Sequence, residues 1–440
     1  MALLITYIED KKEEVGRRKL MKIVMLAQFY PPIIGGEERH VADLSIELAA
    51  RGHDVSVVTL WYKGMPEFEI DQNVRIYRIR GTMQRMGMLF SENERRYAPP
   101  FPDPELLLAI RRIVLKEQPD IVHAHNWLVH SFTPLKTWSK AKFVVSLHDC
   151  SLACVQKRYM RHDTLCSGPG LVKCLACATD FYGIAKGPLS ASANFFWATR
   201  ERHAVDMFLP VSRAIVESNQ LDRYNVPYTI IPNFIRHQMD TYDDTFPALS
   251  QLPGGDFLLF VGDVTLDKGA EVLLQAYVGL DTQVPLVLIG RPFLPRLLER
   301  HLPNVYLMGS WPRGAVMEAW HRCSIALMPS ICPDACPTVA MEAMAMGRPV
   351  IASRIGGLTD IVVDGETGCL VPPGNVQALR DAIYNLLRDP GQRARMGMMA
   401  KQRVAAFQAE YVISRIEQIY REILKLDAIN SLQLYQLRSR

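Results

Sequence analysis

The sequence has no long run of apolar residues. No stretch approaches the roughly 18 to 20 consecutive apolar residues that a membrane-spanning helix needs, so we predict no such helix. The apolar start, residues 1–8, is followed at once by charged residues and not by a small-residue cleavage site, which argues against a secretory signal. We therefore expect residues 1–20 to be an extension outside the fold and the protein to be cytoplasmic. A peripheral contact with the inner face of a membrane stays open.

The chain also has little excess charge, no short-period repeat and no low-complexity tract. Its formal net charge is +4 over 440 residues, which is too small to indicate nucleic-acid binding. Such a charge suits an anionic small molecule or a weakly anionic membrane surface. Hydrophobic residues make up 49% and charged residues 22%, which is typical of a globular protein. The length is enough for two hydrophobic cores of ordinary size.

Short β-rich runs alternate with amphipathic helical stretches from Met21 onward. Residues 37–51 have apolar side chains on one helical face, and the neighbouring runs are short and apolar. Strands are predicted at Lys22–Ala27, Asp54–Leu60, Val74–Ile79, 120–124, Lys142–Leu147 and Met207–Pro210. This order predicts a parallel sheet with helices on both sides.

The alternation starts again near Asp256, after a polar stretch rich in Pro and Gly. Strands are predicted at 257–261, 285–289, 304–308, 324–328 and 349–352, with a helix at 268–278. The predicted fold is α/β, with two Rossmann-like, doubly wound domains that face each other across a cleft, where such folds bind ligands. The domains are placed at 21–238 and 256–403, joined by a linker at 239–255, and a final helix at 404–440 is expected to pack back on the first domain.

Two segments interrupt this pattern. Residues 83–104 include Arg95, Arg96 and four prolines, which indicates either a functional loop or lid or a disordered connection. Residues 191–198 include Phe195, Phe196 and Trp197. Both segments are candidates for contact with a lipid-linked acceptor, although an ordinary buried helix explains the second equally well.

The strongest local signal is the stretch 329–353, PSICPDACPTVAMEAMAMGRPVIAS. A predicted strand leads into a loop with Asp334, and a helix follows with Glu342 near its start. The free amides of Thr338 and Val339 at the helix N-terminus favour a phosphate group. Glu342, one turn further on, is placed to reach a ribose, and Asp334 a sugar hydroxyl. Taken alone, the spacing of the two carboxylates favours capping or solvation of the helix, and the surrounding residues reverse that preference.

This stretch resembles the signature of the family 4 glycosyltransferases, which have the two-domain GT-B fold. In that signature an acidic residue is followed, after seven others, by Glu and then by A-M-A-x-G-x-P-V-I-A. The resemblance extends to the loop 31–36 with His40, to Gly262 with Lys268-Gly269, and to 355–372. It covers roughly residues 21–403. It implies a retaining glycosyltransferase that needs no metal for catalysis and moves a sugar from a nucleotide-diphosphate donor, bound mainly by the C-terminal half, to a sugar or lipid-linked acceptor.

The resemblance also implies individual roles. Lys268 would neutralise the diphosphate as a point charge, and Gly35 and Gly36 would let the backbone approach the donor. The predicted catalytic residues are His148, Lys268 and Asp334. The predicted donor-binding residues are Gly35, Gly36, Lys268, Thr338, Val339 and Glu342. Because the family usually has Glu where this chain has the shorter Asp334, sugar preference is expected to differ.

One departure from the family pattern concerns charge. Where the family usually has Arg after the glycine at Gly262, this chain has Asp263, and a carboxylate facing a diphosphate is repulsive by about 1 kcal/mol at 4 Å in water. Either Asp263 turns away and another cation, for which Arg291 is the candidate, replaces the missing charge, or donor binding is weak. A nucleotide-sugar-binding protein without catalysis is therefore an alternative. A phosphorylase-like enzyme or an epimerase on the same fold is another.

A nicotinamide-dependent oxidoreductase is disfavoured, because the first glycine loop reads GGEERH and not G-x-G-x-x-G. The cysteines carry a separate signal. The chain has nine, and Cys154, Cys166, Cys174 and Cys177 follow the spacing C-x11-C-x7-C-x2-C within an insertion at about 150–180. A final C-x2-C is a common half of a tetrahedral zinc site. The sequence therefore favours a structural zinc, with a disulfide pair or reduced thiols as alternatives.

Overall fold

Two parallel β-sheets organise the chain. The structure, a computed structural model, describes residues 20–438 apart from 34, 86–96, 163, 237–244 and 294–301, with helix side chains described up to Lys425. Residues 1–19 of the predicted extension and residues 86–96, half of the predicted loop 83–104, therefore lie outside the described residues.

The N-terminal domain contains a seven-stranded sheet and a small hairpin. Its strands are β1 (Lys22–Ala27), β2 (Asp54–Leu60), β3 (Phe68–Asp71), β4 (Val74–Ile79), β5 (Ile121–His125), β6 (Lys142–Leu147), β7 (Met160–Arg161), β8 (Thr164–Leu165) and β9 (Met207–Pro210). Its helices are α1 (Gly36–Ala50), α2 (Thr82–Arg85), α3 (Pro104–Glu117), α4 (Leu128–Phe132), α5 (Leu171–Ala204) and α6 (Arg213–Ser218). The large sheet has the order β3-β4-β2-β1-β5-β6-β9, and only the β3–β4 pair is antiparallel.

The C-terminal domain contains a six-stranded sheet that is parallel throughout. Its strands are β10 (Leu258–Val261), β11 (Leu286–Ile289), β12 (Val305–Leu307), β13 (Ile325–Met328), β14 (Val350–Ser353) and β15 (Gly368–Val371). The helices are α7 (Ala270–Val278), α8 (Arg313–Arg322), α9 (Thr338–Ala345), α10 (Leu358–Ile361), α11 (Val376–Arg388), α12 (Pro390–Arg403) and α13 (Ala409–Arg438). The sheet order is β12-β11-β10-β13-β14-β15.

The central strands of both sheets are buried along almost their whole length, as in β5 and β13. Continuous burial is typical of parallel strands that are covered by helices on both faces, and it explains why these strands are short apolar runs in the sequence. The predicted α/β class with two doubly wound domains is confirmed.

The last helix, α13, returns to the N-terminal domain. Val404–Phe407 forms a 3-10 turn after α12, and Gln408 pairs with Ile235. The buried face of α13, which includes Ile416 and Tyr420, then packs into the same apolar cluster as β1 and α1. The end of the chain thereby belongs to the core of the first domain.

Helix α5 is bent sharply in its middle. Gly183 has a positive φ of 83°, and Pro188 follows within the same helix. A Cβ atom on Gly187 would lie 2.5 Å from the carbonyl oxygen of Ala178, so the segment after the bend packs directly on the backbone before it. The aromatic residues Phe195 and Phe196 on this second segment are exposed. The alternative that they belong to an ordinary buried helix is therefore wrong.

Helices long and apolar enough to cross a lipid bilayer do not occur in the described part of the chain.

Candidate functional site

The loops at the carboxyl ends of the two sheets face each other, and direct contacts join them. The Asn233 side-chain amide donates a hydrogen bond to the Cys336 carbonyl oxygen at 2.8 Å, and the Arg213 backbone amide donates one to Asp360 Oδ2 at 2.6 Å. This edge of a doubly wound sheet is where ligands bind, since the strands point their terminal loops towards it.

Lys268 and Asp334 meet at the C-terminal side of this cleft. The Lys268 ammonium forms an ion pair with Asp334 Oδ1, and Ser330 Oγ donates a hydrogen bond to Asp334 Oδ2 at 2.7 Å. Burial lowers the pKa of Lys268, but the Asp334 carboxylate outweighs burial and leaves that pKa above its usual value. Lys268 is therefore a protonated amine, suited to an anionic group.

The loop that carries Asp334 is held by tight backbone packing. The Gly357 amide donates a hydrogen bond to the Asp334 carbonyl oxygen at 2.7 Å. A Cβ atom on Gly357 would lie 2.0 Å from the Ala335 carbonyl oxygen, so only glycine fits at that position. The glycine pair after β14 thus fixes the position of a predicted site residue in the neighbouring loop.

Helix α9 begins at this loop with an uncapped N-terminus. Its N-cap is Pro337, whose side chain cannot accept from the first amides, and its first residues are Thr338 and Val339. The unpaired amides and the helix dipole favour an anion at this end. Gly357 and Lys268 both contact Asp334, in the loop that leads into α9. These two contacts hold the Lys268 ammonium close to the start of α9.

Glu342 lies one turn further along α9 and is buried. Its Oε1 is 3.7 Å from Arg313 Nη2 on α8. Burial raises the pKa of Glu342, while the charges of Arg313 and Arg39 act in the opposite direction. Because Arg39 belongs to α1, cationic groups from both domains surround this carboxylate.

Three imidazoles form a cluster at the N-terminal side of the cleft. His148 Nε2 is 3.0 Å from His125 Nδ1, and the ring centroids of His40 and His148 are 4.9 Å apart. One nitrogen from each of the three rings lies within 4.8 Å of the others, so the cluster is dense enough to be a candidate metal site. Burial lowers the pKa of His148 to about 4 against the opposing Asp149 carboxylate, and the Asn233 amide beside it also opposes the shift. His148 is therefore a neutral ring at neutral pH.

Burial also lowers the pKa values of His40 and His125 well below the usual range. Neither ring was a predicted site residue, although both had a detectable signal. His40 follows the glycine-rich loop, and His125 follows the predicted strand 120–124 just as His148 follows the predicted strand Lys142–Leu147. Asn233, which contacts the second domain, has no local sequence pattern that marks it.

The glycine-rich loop presents an acid that the sequence did not single out. Gly35 is the N-cap of α1, and a Cβ on the next residue, Gly36, would meet no atom within 4 Å, which leaves space beside the backbone. Glu37 accepts a hydrogen bond from the Asn126 side-chain amide. Burial raises the pKa of Glu37 to about 8, although Lys157 opposes the shift. Glu37 is therefore mostly protonated at neutral pH.

Asp263 does not stand alone at the carboxyl end of β10. Arg291 donates two hydrogen bonds to it, from Nε to Oδ1 at 2.9 Å and from Nη2 to Oδ2 at 2.7 Å. This planar, bidentate pair neutralises the carboxylate. Arg291 is thus in contact with Asp263 instead of standing apart from it as a separate replacement cation.

The four cysteines of the insertion come together around one cavity, which Cys154, Cys166, Cys174 and Cys177 all line. All four are free cysteines. Their sulfur atoms do not form a group as compact as the three imidazoles among the described residues.

Comparisons with known proteins identify the family of the chain. The family model described as Glycosyltransferase Family 4 matches residues 34–238, and the model described as Glycosyl transferases group 1 matches residues 244–403. The glycogen synthase of Mycobacterium tuberculosis is 26% identical over 422 residues, which cover 91% of this chain and 94% of that protein. Sucrose-phosphate synthase from Thermosynechococcus elongatus has a similar structure, with a TM-score of 0.71, 21% identity and coverage of 92% of this chain and 99% of its own. Anabaena HepE, solved with UDP and glucose, has a TM-score of 0.65 and 16% identity, with 91% of this chain and 100% of that chain covered.

Proposed function

Because the chain belongs to the family 4 glycosyltransferases of the group 1 type, we propose that it moves a sugar from a nucleotide-diphosphate donor to an acceptor hydroxyl with retention of configuration. The observation that carries this proposal is the ion pair of Lys268 and Asp334 beside the uncapped N-terminus of α9. An amine and free amides directed to one place form a site for a diphosphate.

In the proposed complex the diphosphate lies between Lys268 and the amides of Thr338 and Val339. The ammonium then exchanges part of its contact with Asp334 for the phosphate oxygens, which leaves Asp334 available to a sugar hydroxyl. Glu342 accepts hydrogen bonds from the ribose. The UDP named for HepE and the ADP named for the Arabidopsis starch synthase IV catalytic domain support a nucleotide donor.

The proposed reaction breaks the bond between the sugar C1 and the diphosphate oxygen. The acceptor oxygen forms its bond to C1 on the same face, and its proton passes to the departing phosphate oxygen. Lys268 and the α9 amides stabilise the negative charge that develops on the leaving group. Asp334 is not assigned as a nucleophile, because its carboxylate accepts a hydrogen bond from Ser330, keeps part of its contact with Lys268 and is proposed to accept one from the sugar hydroxyl. His148, as a neutral ring, hydrogen-bonds the sugar, and no step requires a metal.

The acceptor is proposed to approach from the N-terminal domain, where the glycine-rich loop and the three imidazoles lie. A sugar linked to a lipid is one acceptor class, supported by the exposed Phe195, Phe196 and Ile184 on α5. These side chains suit an acceptor presented at a membrane surface, where a peripheral contact places them next to lipid.

The decisive test is the variant Lys268→Ala. It is expected to lower kcat/KM for the donor by one or more orders of magnitude, because the leaving group loses its positive charge. Donors are first identified by a thermal-shift screen of nucleotide sugars, since a ligand that binds the folded state raises Tm. Lys401→Ala, on the exposed surface of α12, is the control and should leave kcat/KM unchanged. Equal activity of the Lys268 variant and the wild type contradicts the proposal.

A second candidate is a nucleotide-sugar-binding protein that lacks catalysis. It is favoured by Asp263, which stands where the family usually has Arg. Asp263 also forms an ion pair with Arg291 and so neutralises its charge. Donor binding in the thermal-shift screen, without donor hydrolysis or transfer to any acceptor, supports this candidate. Release of nucleoside diphosphate together with a glycosylated product excludes it, and it also separates a transferase from a phosphorylase or an epimerase.

A further inference from the structure

The cysteine-rich insertion has almost no apolar core of its own. Its hydrophobic cluster consists of Val155, Ala178 and Ala191, with a few half-buried neighbours. The hairpin β7–β8 is only two residues long on each side. A segment with so few apolar contacts needs another source of stability, which in small domains is commonly a disulfide or a metal.

The insertion directs its four thiols at one cavity. Cys154 and Cys166 precede α5, and Cys174 and Cys177 lie one turn apart at its start. Their side chains line a cavity of about 30 Å³. None of the four is in a disulfide.

Two N–H groups donate hydrogen bonds to these sulfur atoms. The Gly170 amide donates to Cys174 Sγ at 3.4 Å, and Gln156 Nε2 donates to Cys177 Sγ at 3.2 Å. A neutral thiol is a weak acceptor, whereas N–H donors stabilise a thiolate. The surroundings of Cys174 and Cys177 thus suit the deprotonated form. The Cys166 thiol donates to the Gly168 carbonyl oxygen at 3.5 Å and would give up this contact when it loses its proton.

Two basic side chains lie close to the four thiols. Arg161 and Lys173 also line the cavity. A zinc ion with four thiolates has a net charge of −2, and these two side chains would balance it.

We propose that Cys154, Cys166, Cys174 and Cys177 bind one zinc ion as a structural site. On binding, each thiol releases one proton and forms one Zn–S bond, which closes a tetrahedral centre of four thiolates. The sulfurs are more widely spread than the three imidazoles of the cleft, so the insertion contracts around the ion. The metal ties the loop before β7 to the first turn of α5.

The proposed zinc site would also position Arg158, whose side chain reaches across the cleft to the C-terminal domain. The importance of this contact rests on the proposed function. Arg158, four positions after Cys154, forms an ion pair with Asp267, the residue before Lys268. The Arg158 carbonyl oxygen accepts a hydrogen bond from Cys332 Sγ at 3.4 Å, and Asp267 accepts the Ile331 amide at 2.9 Å. A rigid insertion would therefore keep these contacts between the insertion and the donor side of the cleft in place.

The first test measures metal content and is independent of activity. Full-length protein, purified without chelator, is analysed by inductively coupled plasma mass spectrometry and is expected to contain about one zinc per chain. The double variant Cys174→Ser/Cys177→Ser should lose it. Cys369→Ser, in the C-terminal domain, and His125→Asn, in the imidazole cluster, should both retain it. Retention by the double variant with loss by His125→Asn places the metal in the cleft and overturns the proposal, as does a zinc content below about a tenth of an equivalent after incubation with zinc.

A second readout does not depend on whether the double variant folds. Wild-type protein reconstituted with Co²⁺ should show the near-ultraviolet charge-transfer absorption of cobalt thiolates and the visible bands of a tetrahedral ion. Octahedral cobalt bands without charge transfer contradict a thiolate site. Arg158→Ala should raise the donor KM more than it lowers kcat and should keep its zinc. An unchanged KM removes only the link to the cleft, and a metal site with no transferase activity removes only the proposed function.

Discussion

At the scale of single residues, the pair Asp263 and Arg291 would set how much positive charge the diphosphate meets in the proposed donor complex. In the bidentate contact, the positive charge of Arg291 and the negative charge of Asp263 neutralise each other. The residue usual for the family would add a positive charge here, and this chain has a neutral pair. Lys268 and the α9 amides are then left as the principal stabilising groups among those described at this edge, so the chain depends on them more heavily.

Removing the arginine should expose the carboxylate to the donor. Arg291→Ala is expected to raise the donor KM about two- to tenfold with little change in kcat, because an unpaired Asp263 repels the diphosphate by about 1 kcal/mol. The double variant Asp263→Asn/Arg291→Ala should return KM close to the wild-type value. Arg322→Ala, which breaks an exposed pair on α8, is the control. Steady-state kinetics decide the matter, and additive effects in the double variant contradict this explanation.

At the scale of elements, the sequence predicts some strands to the residue and misses others. β1, β2, β4, β6 and β9 match their predicted bounds. β1, β2, β6 and β9 are buried at every residue but the first, whereas β4 alternates buried apolar residues with half-buried ones. β3 is missed because it is an exposed antiparallel edge strand with two acidic residues among four. β15 is missed because it is short and begins with glycine.

Some residues of the candidate site could be predicted from the sequence, and others could not. Asp334 and Glu342 are predicted from their spacing, which places them on one loop and the helix that follows it. Lys268, 66 positions before Asp334, is predicted from the family resemblance. The pairing of Arg158 with Asp267 joins residues 109 positions apart. No local pattern encodes how two domains are placed, so this contact, like that of Asn233, appears only in the folded structure.

The bend in α5 gives a prediction for an element. Gly187→Ala should lower the free energy of unfolding by about 1–3 kcal/mol, because the new methyl group would lie 2.5 Å from the backbone at Ala178 and Thr179. Ser192→Ala, on the same helix but exposed, is the matched control and should be close to neutral. Urea denaturation measures both. An unchanged midpoint for Gly187→Ala means that the two segments of α5 are not packed this closely.

At the scale of the whole molecule, the last helix packs against the first strand and the first helix of the chain. α13 leaves the second domain and contributes Tyr420, whose hydroxyl is 2.6 Å from His123 Nδ1 beneath the imidazole cluster. Glu417 on the same helix contacts Arg51 at 3.1 Å and His53 at 3.2 Å, both at the end of α1. The last helix follows directly from the second domain and packs into the core of the first. We therefore expect the stability of the first domain to depend on the second domain, which positions this helix.

This coupling has a pH dependence with a definite sign. Burial raises the pKa of Glu417, but Arg421, Arg51 and His53 outweigh burial and lower it to about 2. A carboxyl group with a lowered folded-state pKa stabilises the fold above its unfolded-state value of about 4.5, and this stabilisation is lost as the pH falls towards 2. Glu417→Gln should thus lower the free energy of unfolding at pH 7 by about 1–2 kcal/mol, less than the full shift because the group borders solvent. Glu422→Gln, exposed on the same helix, should have no such effect. Urea titrations between pH 7 and pH 3 should show the difference between wild type and Glu417→Gln shrinking as the pH falls, and a difference that stays constant would mean that the ionised carboxylate does not hold α13 in place.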